Sequence, residues 1–189
     1  MSYAQIEDVE HYLNVVFTPA GRTIVQGYLD AASAKIDSFC QRDFLLHTDA
    51  AIKCDGNDLD TLLIRETPII SIASLKIDND VISSDKFVSY DWGKIRLKNG
   101  LTFTEDIQNI EIVLTHGYLE VPGMIKHICV LLVKDLIHGT LKFEETEGAN
   151  EIKMGDIEVR YEDADKTILL TDKMKEDLLP FVKKFVEVV

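Results

Sequence analysis

The residues able to do chemistry in this chain are dispersed. Its five histidines are His11, His47, His116, His127 and His138. His127 and His138 are eleven residues apart and share a helix face, yet at ~1.5 Å of rise per residue they lie roughly 16 Å apart, too far to hold one metal ion. An H-E-x-x-H motif is absent, and the spacing favours solvent-facing structural histidines over ligands. The segment "DGNDLDTLLIRE", residues 55–66, fits a calcium loop at three positions, with Asp55 first, Asn57 third and Glu66 twelfth. Leu59 occupies the fifth position, however, and Asp60 the sixth, where the sharp turn needs glycine. A β-turn with solvated carboxylates is the better reading. There is no G-x-S-x-G, P-loop or G-x-G-x-x-G, and nothing in the spacing selects one acid–base pair from the many carboxylates. The sequence predicts no catalytic, metal-binding or cofactor-binding residue, no cofactor and no enzyme.

Composition narrows the class further. With 189 residues, 46% hydrophobic and 28% charged, the chain reads as a soluble globular protein of one domain, or a domain with a subdomain. The formal net charge of −13, with no run of Lys and Arg, argues against a grip on nucleic acid. Acidity serves solubility first; it also makes a surface that DNA passes without sticking. Cys40, Cys54 and Cys129 are odd in number and lack a C-x-x-C pair, so they read as reduced thiols, with Cys40 and Cys129 in apolar helical patterns. The start "MSYAQIEDVEHYL" is acidic where a signal peptide is basic, and "ICVLLV" at 128–133 is too short to span a bilayer. No membrane partner is expected.

These properties must be carried by a small set of elements. Ile6, Val9, Leu13 and Val16 mark a first helix within 2–16. Thr18 and Pro19 are an N-cap and first-turn pair for a second helix to about Gln41, with Ile24, Tyr28, Leu29, Ala32, Ile36 and Phe39 on one face. From Phe44 to Tyr118 the period becomes two: "TLLIRE", "SLKID", a hairpin in "FVSYDWGKIRLKN" with its tip near Asp91–Gly93, and "NIEIVLTHGY". Pro122 opens an apolar helix closed by Gly139. After a polar link come a late strand in "EIKMGDIEVRY" and a final amphipathic helix interrupted by Pro180. The fold class is therefore α+β: a mainly helical core of about four helices, an inserted small antiparallel β-subdomain, and a late extended strand or loop. Residues 1–43 form the N-terminal helices, 44–121 the inserted β-subdomain, and 122–189 the central helix, late strand and C-terminal helix, one domain overall.

The ordered pieces "AASAKIDSFCQRDF", "TPIISIASLKID", "YDWGKIRL", "LTHGYLEVPGMIKHICVLLVKDL", "MGDIEVRY" and "LLPFVKKF" cover nearly the whole chain. Together they resemble the head-to-tail connector (adaptor, or head-completion) proteins of tailed bacteriophages. The resemblance runs through Arg42, Phe44, Gly117, Tyr118 and Pro122; Gln41 stands where that family would place glycine. Read physically, Arg42 is a cation after a helix C-terminus, Phe44 fixes the helix exit, Gly117 supplies a turn, and Pro122 presets a first-turn dihedral. The resemblance implies a virion structural protein at the head–tail junction, synthesised in the host cytoplasm. It implies a homo-oligomeric ring, dodecameric in the virion, that docks on the portal protein and extends the DNA channel. A neck, stopper or tail-completion protein would bind next, and DNA would pass through without specific binding.

The late strand asks what it pairs with. Its regular part begins at Asp156, with Ile157, Val159 and Tyr161 on one face. It can join the β-subdomain as an extra strand, or it can add to a neighbouring subunit or partner, making Asp156, Ile157, Val159 and Tyr161 an interface. The resemblance favours the second. Two other functions stay open: a soluble protein–protein interaction domain unrelated to virions, and an enzyme whose site would show as a pocket of perturbed carboxylates.

Overall fold

The computed structural model describes residues 2–142, 150–154, 157–161 and 168–183. The class is α+β, with helices and small antiparallel sheets divided between two compact units. Met1–Asp43 and Val121–Lys183 make the first unit; Phe44–Glu120 make the second among the described residues.

The first unit is built on α1 (Ile6–Leu13), α2 (Pro19–Cys40) and α3 (Gly123–Lys142), with α4 (Asp172–Leu178) against α3. α2 starts as its sequence dictates: the Thr18 hydroxyl accepts from the Gly21 amide at 3.2 Å, and Pro19 takes the first turn. Glu10 ties the α1–α2 turn together, accepting from the Phe17 amide at 2.9 Å and from Arg22 at 2.6 Å. The buried stripe of α2 is Val25, Leu29, Ala32, Ser33, Ile36 and Cys40, rotated from the expected one, so Ile24 and Phe39 are half-buried. Ala32 and Ser33 are the small residues that meet α3: the Ser33 hydroxyl lies 3.6 Å from the Cys129 sulfur. Ala31 and Ala34, beside them in sequence, are exposed. Ile125, Ile128, Cys129, Leu132, Val133 and Ile137 bury the apolar side of α3.

Three helix ends depart from expectation. α1 stops at Leu13 because Asn14 turns left-handed, φ 56°. α3 continues through Gly139 to Lys142, since an isolated glycine costs a helix only about 1 kcal/mol against alanine. The Pro122 carbonyl accepts from the Lys126 amide at 3.1 Å, so Pro122 stands just outside the first turn of α3 and not in it. At the other end of the chain, Thr171 caps α4, and Pro180 breaks it into a 3-10 turn over Leu179–Phe181. Phe185 and Val189, expected on this helix, lie outside the described residues.

The second unit holds two antiparallel sheets. One runs in the order β1 (Leu46–Cys54), β7 (Ile110–Gly117), β3 (Ile69–Ile77), β4 (Asp80–Val81). The other runs β2 (Thr61–Leu63), β6 (Lys94–Leu97), β5 (Phe87–Ser89). β7 alternates as a strand covered on one face does: Ile110, Ile112 and Leu114 are buried. They join Leu75, Ile77, Phe87, Ile95, Leu97 and Phe103 in one core between the sheets. The hairpin of residues 87–97 forms where expected, with Phe87 opposite Leu97.

The late strand has a hydrogen-bonded partner that was not anticipated. β9 (Ile157–Tyr161) pairs antiparallel with β8 (Asn150–Met154), Asn150 opposite Tyr161 and Met154 opposite Ile157. The alternating stretch is thus two strands, and β9 lies outside the sheets of the second unit. A local hairpin closes a short loop at little entropic cost, which a distant sheet cannot match.

Candidate functional site

Segment 55–61, expected as a turn with solvated carboxylates, is a set of braces. The Asp55 carboxylate accepts from the Gln108 amide at 2.7 Å, and Asp58 from the Glu105 amide at 2.9 Å. Asn57 accepts from Leu59 and donates to the Thr61 carbonyl. Gly56 sits so close to the Thr104 carbonyl that a Cβ would overlap it. These contacts, with the Gly56 amide on the Asp106 carbonyl, lock segment 55–61 onto 103–109. Among the described residues no group of His, Cys, Asp and Glu is arranged to hold a metal ion.

The histidines divide by environment. His127 and His138 are exposed on α3, and Tyr12 meets His127 edge-on at 6.1 Å. His47 and His116 stand opposite each other across β1 and β7 with their rings stacked at 4.7 Å. Their separation in sequence hid this pair, since only the β1–β7 register brings them together. The thiols are inert by burial: Cys40 is pushed up to about 11, with Asp37 adding to the effect and Arg42 opposing it, and burial also raises Cys129.

The residues that carried the resemblance take structural positions. Arg42 follows Gln41, which is itself left-handed at φ 54°, the conformation a glycine there would supply. The Arg42 amide donates to the Asp37 carbonyl at 3.3 Å, and its guanidinium opposes the rise in the Cys40 pKa. Phe44 is fully buried and packs on the Tyr118 ring at 5.6 Å. Gly117, at φ +95°, donates to the Pro68 carbonyl at 2.9 Å, and Tyr118 donates to Leu45 at 3.3 Å. Asp156 lies outside the described residues, and of Ile157, Val159 and Tyr161 only the backbone pairing is described.

The exposed chemistry that the sequence reading passed over is at the β5–β6 hairpin. Tyr90 and Trp92 lie 5.7 Å apart, with the Lys94 ammonium 5.9 and 5.8 Å from their ring centres. Beside them Arg96 pairs with Asp60 at 2.8 Å. The Thr61 hydroxyl and the Arg96 guanidinium hold the Asp60 carboxyl below its usual range. An open hollow of ≈ 380 Å³ adjoins them. "YDWGK" carried this signal, but two aromatics and a lysine at a hairpin tip were read only as a turn.

The fold is α+β in two compact units, and its exposed Tyr90, Trp92 and Lys94 offer contact surface. Comparison with known proteins gives the class a name. A head completion protein profile matches residues 4–169, and the chain belongs to that family. It is a structural protein of a bacteriophage-type virion, acting where the head is completed. A solved chain from the "Neck of empty GTA particle computed with C6 symmetry" shares the fold, with a TM-score of 0.52 at 12% identity over 87% of this chain and 80% of the other. The comparison with curated proteins finds no match. Among the described residues no helix is long and apolar enough to cross a membrane.

Proposed function

We propose that the protein is a ring-forming head–tail adaptor that docks on the portal protein, extends the DNA channel and receives the next neck or tail protein. The observation that carries this reading is the family match over 4–169, which spans both units of the fold. The likeness in fold to a chain from a neck with six-fold symmetry supports a ring, and a dodecamer in the virion is compatible with that symmetry. A net charge of −13 suits a channel that DNA crosses without being held. Assembly needs no catalysis, only a repeated heterologous contact whose rotation closes. The β8–β9 hairpin is part of the proposal: among the described residues its strands pair only with each other, so an outer edge can take strand addition to a neighbouring subunit, with Asp156, Ile157, Val159 and Tyr161 at that interface.

The test is sedimentation over a wide concentration range, with and without the portal protein, followed by negative-stain imaging of large species. Rings with a central hole wide enough for a DNA duplex are expected. A chain that stays monomeric in both conditions and does not bind the portal would refute the reading.

A further inference from the structure

The sheet β2–β6–β5 has one face in the core and one in solvent. Phe87, Ile95 and Leu97 point inward, so the alternate residues Val88, Lys94 and Arg96 stand outward. The register places Val88 opposite Arg96, and the Tyr90 amide donates to the Lys94 carbonyl at 2.8 Å, setting Tyr90 beside Lys94. Trp92 is 55% exposed, Tyr90 41% and Val88 40%, a cluster of apolar surface at one tip.

Its charge is opposite to that of the chain. From Lys86 to Lys98 there are four basic residues and one acidic, a local +3 in a chain of −13, so the remainder carries −16. Asp60 offsets Arg96, and the Asp85 carboxylate lies within the field of Lys86 and Lys98, whose charges help hold it ionised, so the face keeps a small positive balance centred on Lys94.

We infer that this outer face, centred on Trp92, Tyr90 and Lys94, is a subunit contact of the ring, and that it docks on an acidic surface of a second copy of the chain. The inference deepens the ring reading and rests on it. Two copies of Lys94 brought face to face would repel, which disfavours a two-fold contact through this face. Its sign is opposite to the net charge of the rest of the chain, which favours a heterologous contact. Trp, Tyr and Arg are also the residue types that dominate interface energetics when a rim excludes water. A single-stranded nucleic acid would use aromatics and cations too. Here, however, the two rings touch each other and share one lysine, and the −16 carried elsewhere repels a polyanion.

Trp92 is the sole tryptophan, so its fluorescence reports the contact directly. The full chain is followed by sedimentation and by acrylamide quenching under the conditions that give rings. Quenching of Trp92 is expected to fall severalfold as rings form. Trp92→Ala and Lys94→Glu are each expected to raise the concentration at which rings form by about tenfold or more, with the urea midpoint of the monomer unchanged. A photo-cross-linking residue at position 92 is expected to join acidic segments of a second copy. Rings in which Trp92 stays as quenchable as in the monomer, or which the two variants form as readily, would overturn the inference and leave the ring reading intact. Cross-links to the portal alone, or protection of Trp92 by an oligonucleotide added to the monomer, would also overturn it. A chain that forms no ring, alone or with the portal protein, and does not bind the portal removes both readings together.

Discussion

The Leu45 carbonyl oxygen occupies the space that a side chain on Gly117 would take. Gly117 also has φ +95°, a conformation that L residues avoid, so two independent constraints fall on one residue at the end of β7. Gly117→Ala should therefore cost roughly 2–4 kcal/mol, combining backbone strain with displacement of the Leu45 peptide. Urea denaturation followed by circular dichroism measures this; a loss below about 1 kcal/mol would mean that the strand end relaxes freely.

Gln41 ends α2 in the left-handed region at φ 54°, its amide donating to the Asp37 carbonyl and its side chain exposed. Gln41→Gly removes the steric penalty without removing a packed side chain, and should stabilise by about 0.5–1 kcal/mol. A shift of the urea midpoint upward with an unchanged slope is the expected signature.

Ser33 is buried where the N-terminal segment crosses α2. Its hydroxyl accepts from the Tyr3 amide at 3.0 Å and donates to the Leu29 carbonyl at 2.8 Å, while the Tyr3 phenol bonds Asp37. Ser33→Ala deletes the acceptor of a buried amide and should cost about 1–3 kcal/mol. Hydrogen exchange should locate the loss, with the Tyr3 amide losing protection first.

Cys40 gives a pH dependence of definite sign. An unfolded thiol loses its proton near 9, whereas the folded Cys40, held up by burial, keeps it until about 11. Between those values the folded state binds more protons, so stability falls as pH rises from about 9 to about 11, and below 9 the thiol contributes no slope. Urea midpoints at pH 8, 9.5 and 10.5 should decline in that window, and less steeply in Cys40→Ala. In the native state at pH 8, Cys40 and Cys129 should react with a thiol reagent only as fast as the chain opens.

Periodicity made the fold class legible. The helical stripe through Leu29, Ala32 and Ile36, the Thr18–Pro19 start of α2, and the alternation of Ile110, Ile112 and Leu114 are local signals, and each element formed where they stood. Gln41 shows the opposite case: the helix end was legible, while the left-handed turn that a glycine would have announced was made by a residue that carries no such sign.

What the chain alone determined are the properties that depend on neighbours a few residues away: the helices, the hairpin of residues 87–97, the acidity, and the ordered motifs that marked the family. Tertiary structure decided what depends on residues far apart. It stacked His47 on His116, and it made Asp55 and Asp58 braces for segment 103–109. It also set Asp60 against Arg96, beside the exposed rings of the hairpin. The reason is physical: helix and strand periods follow from local backbone geometry, but register and sheet order are chosen by the burial of a shared core, and only that choice places distant side chains together.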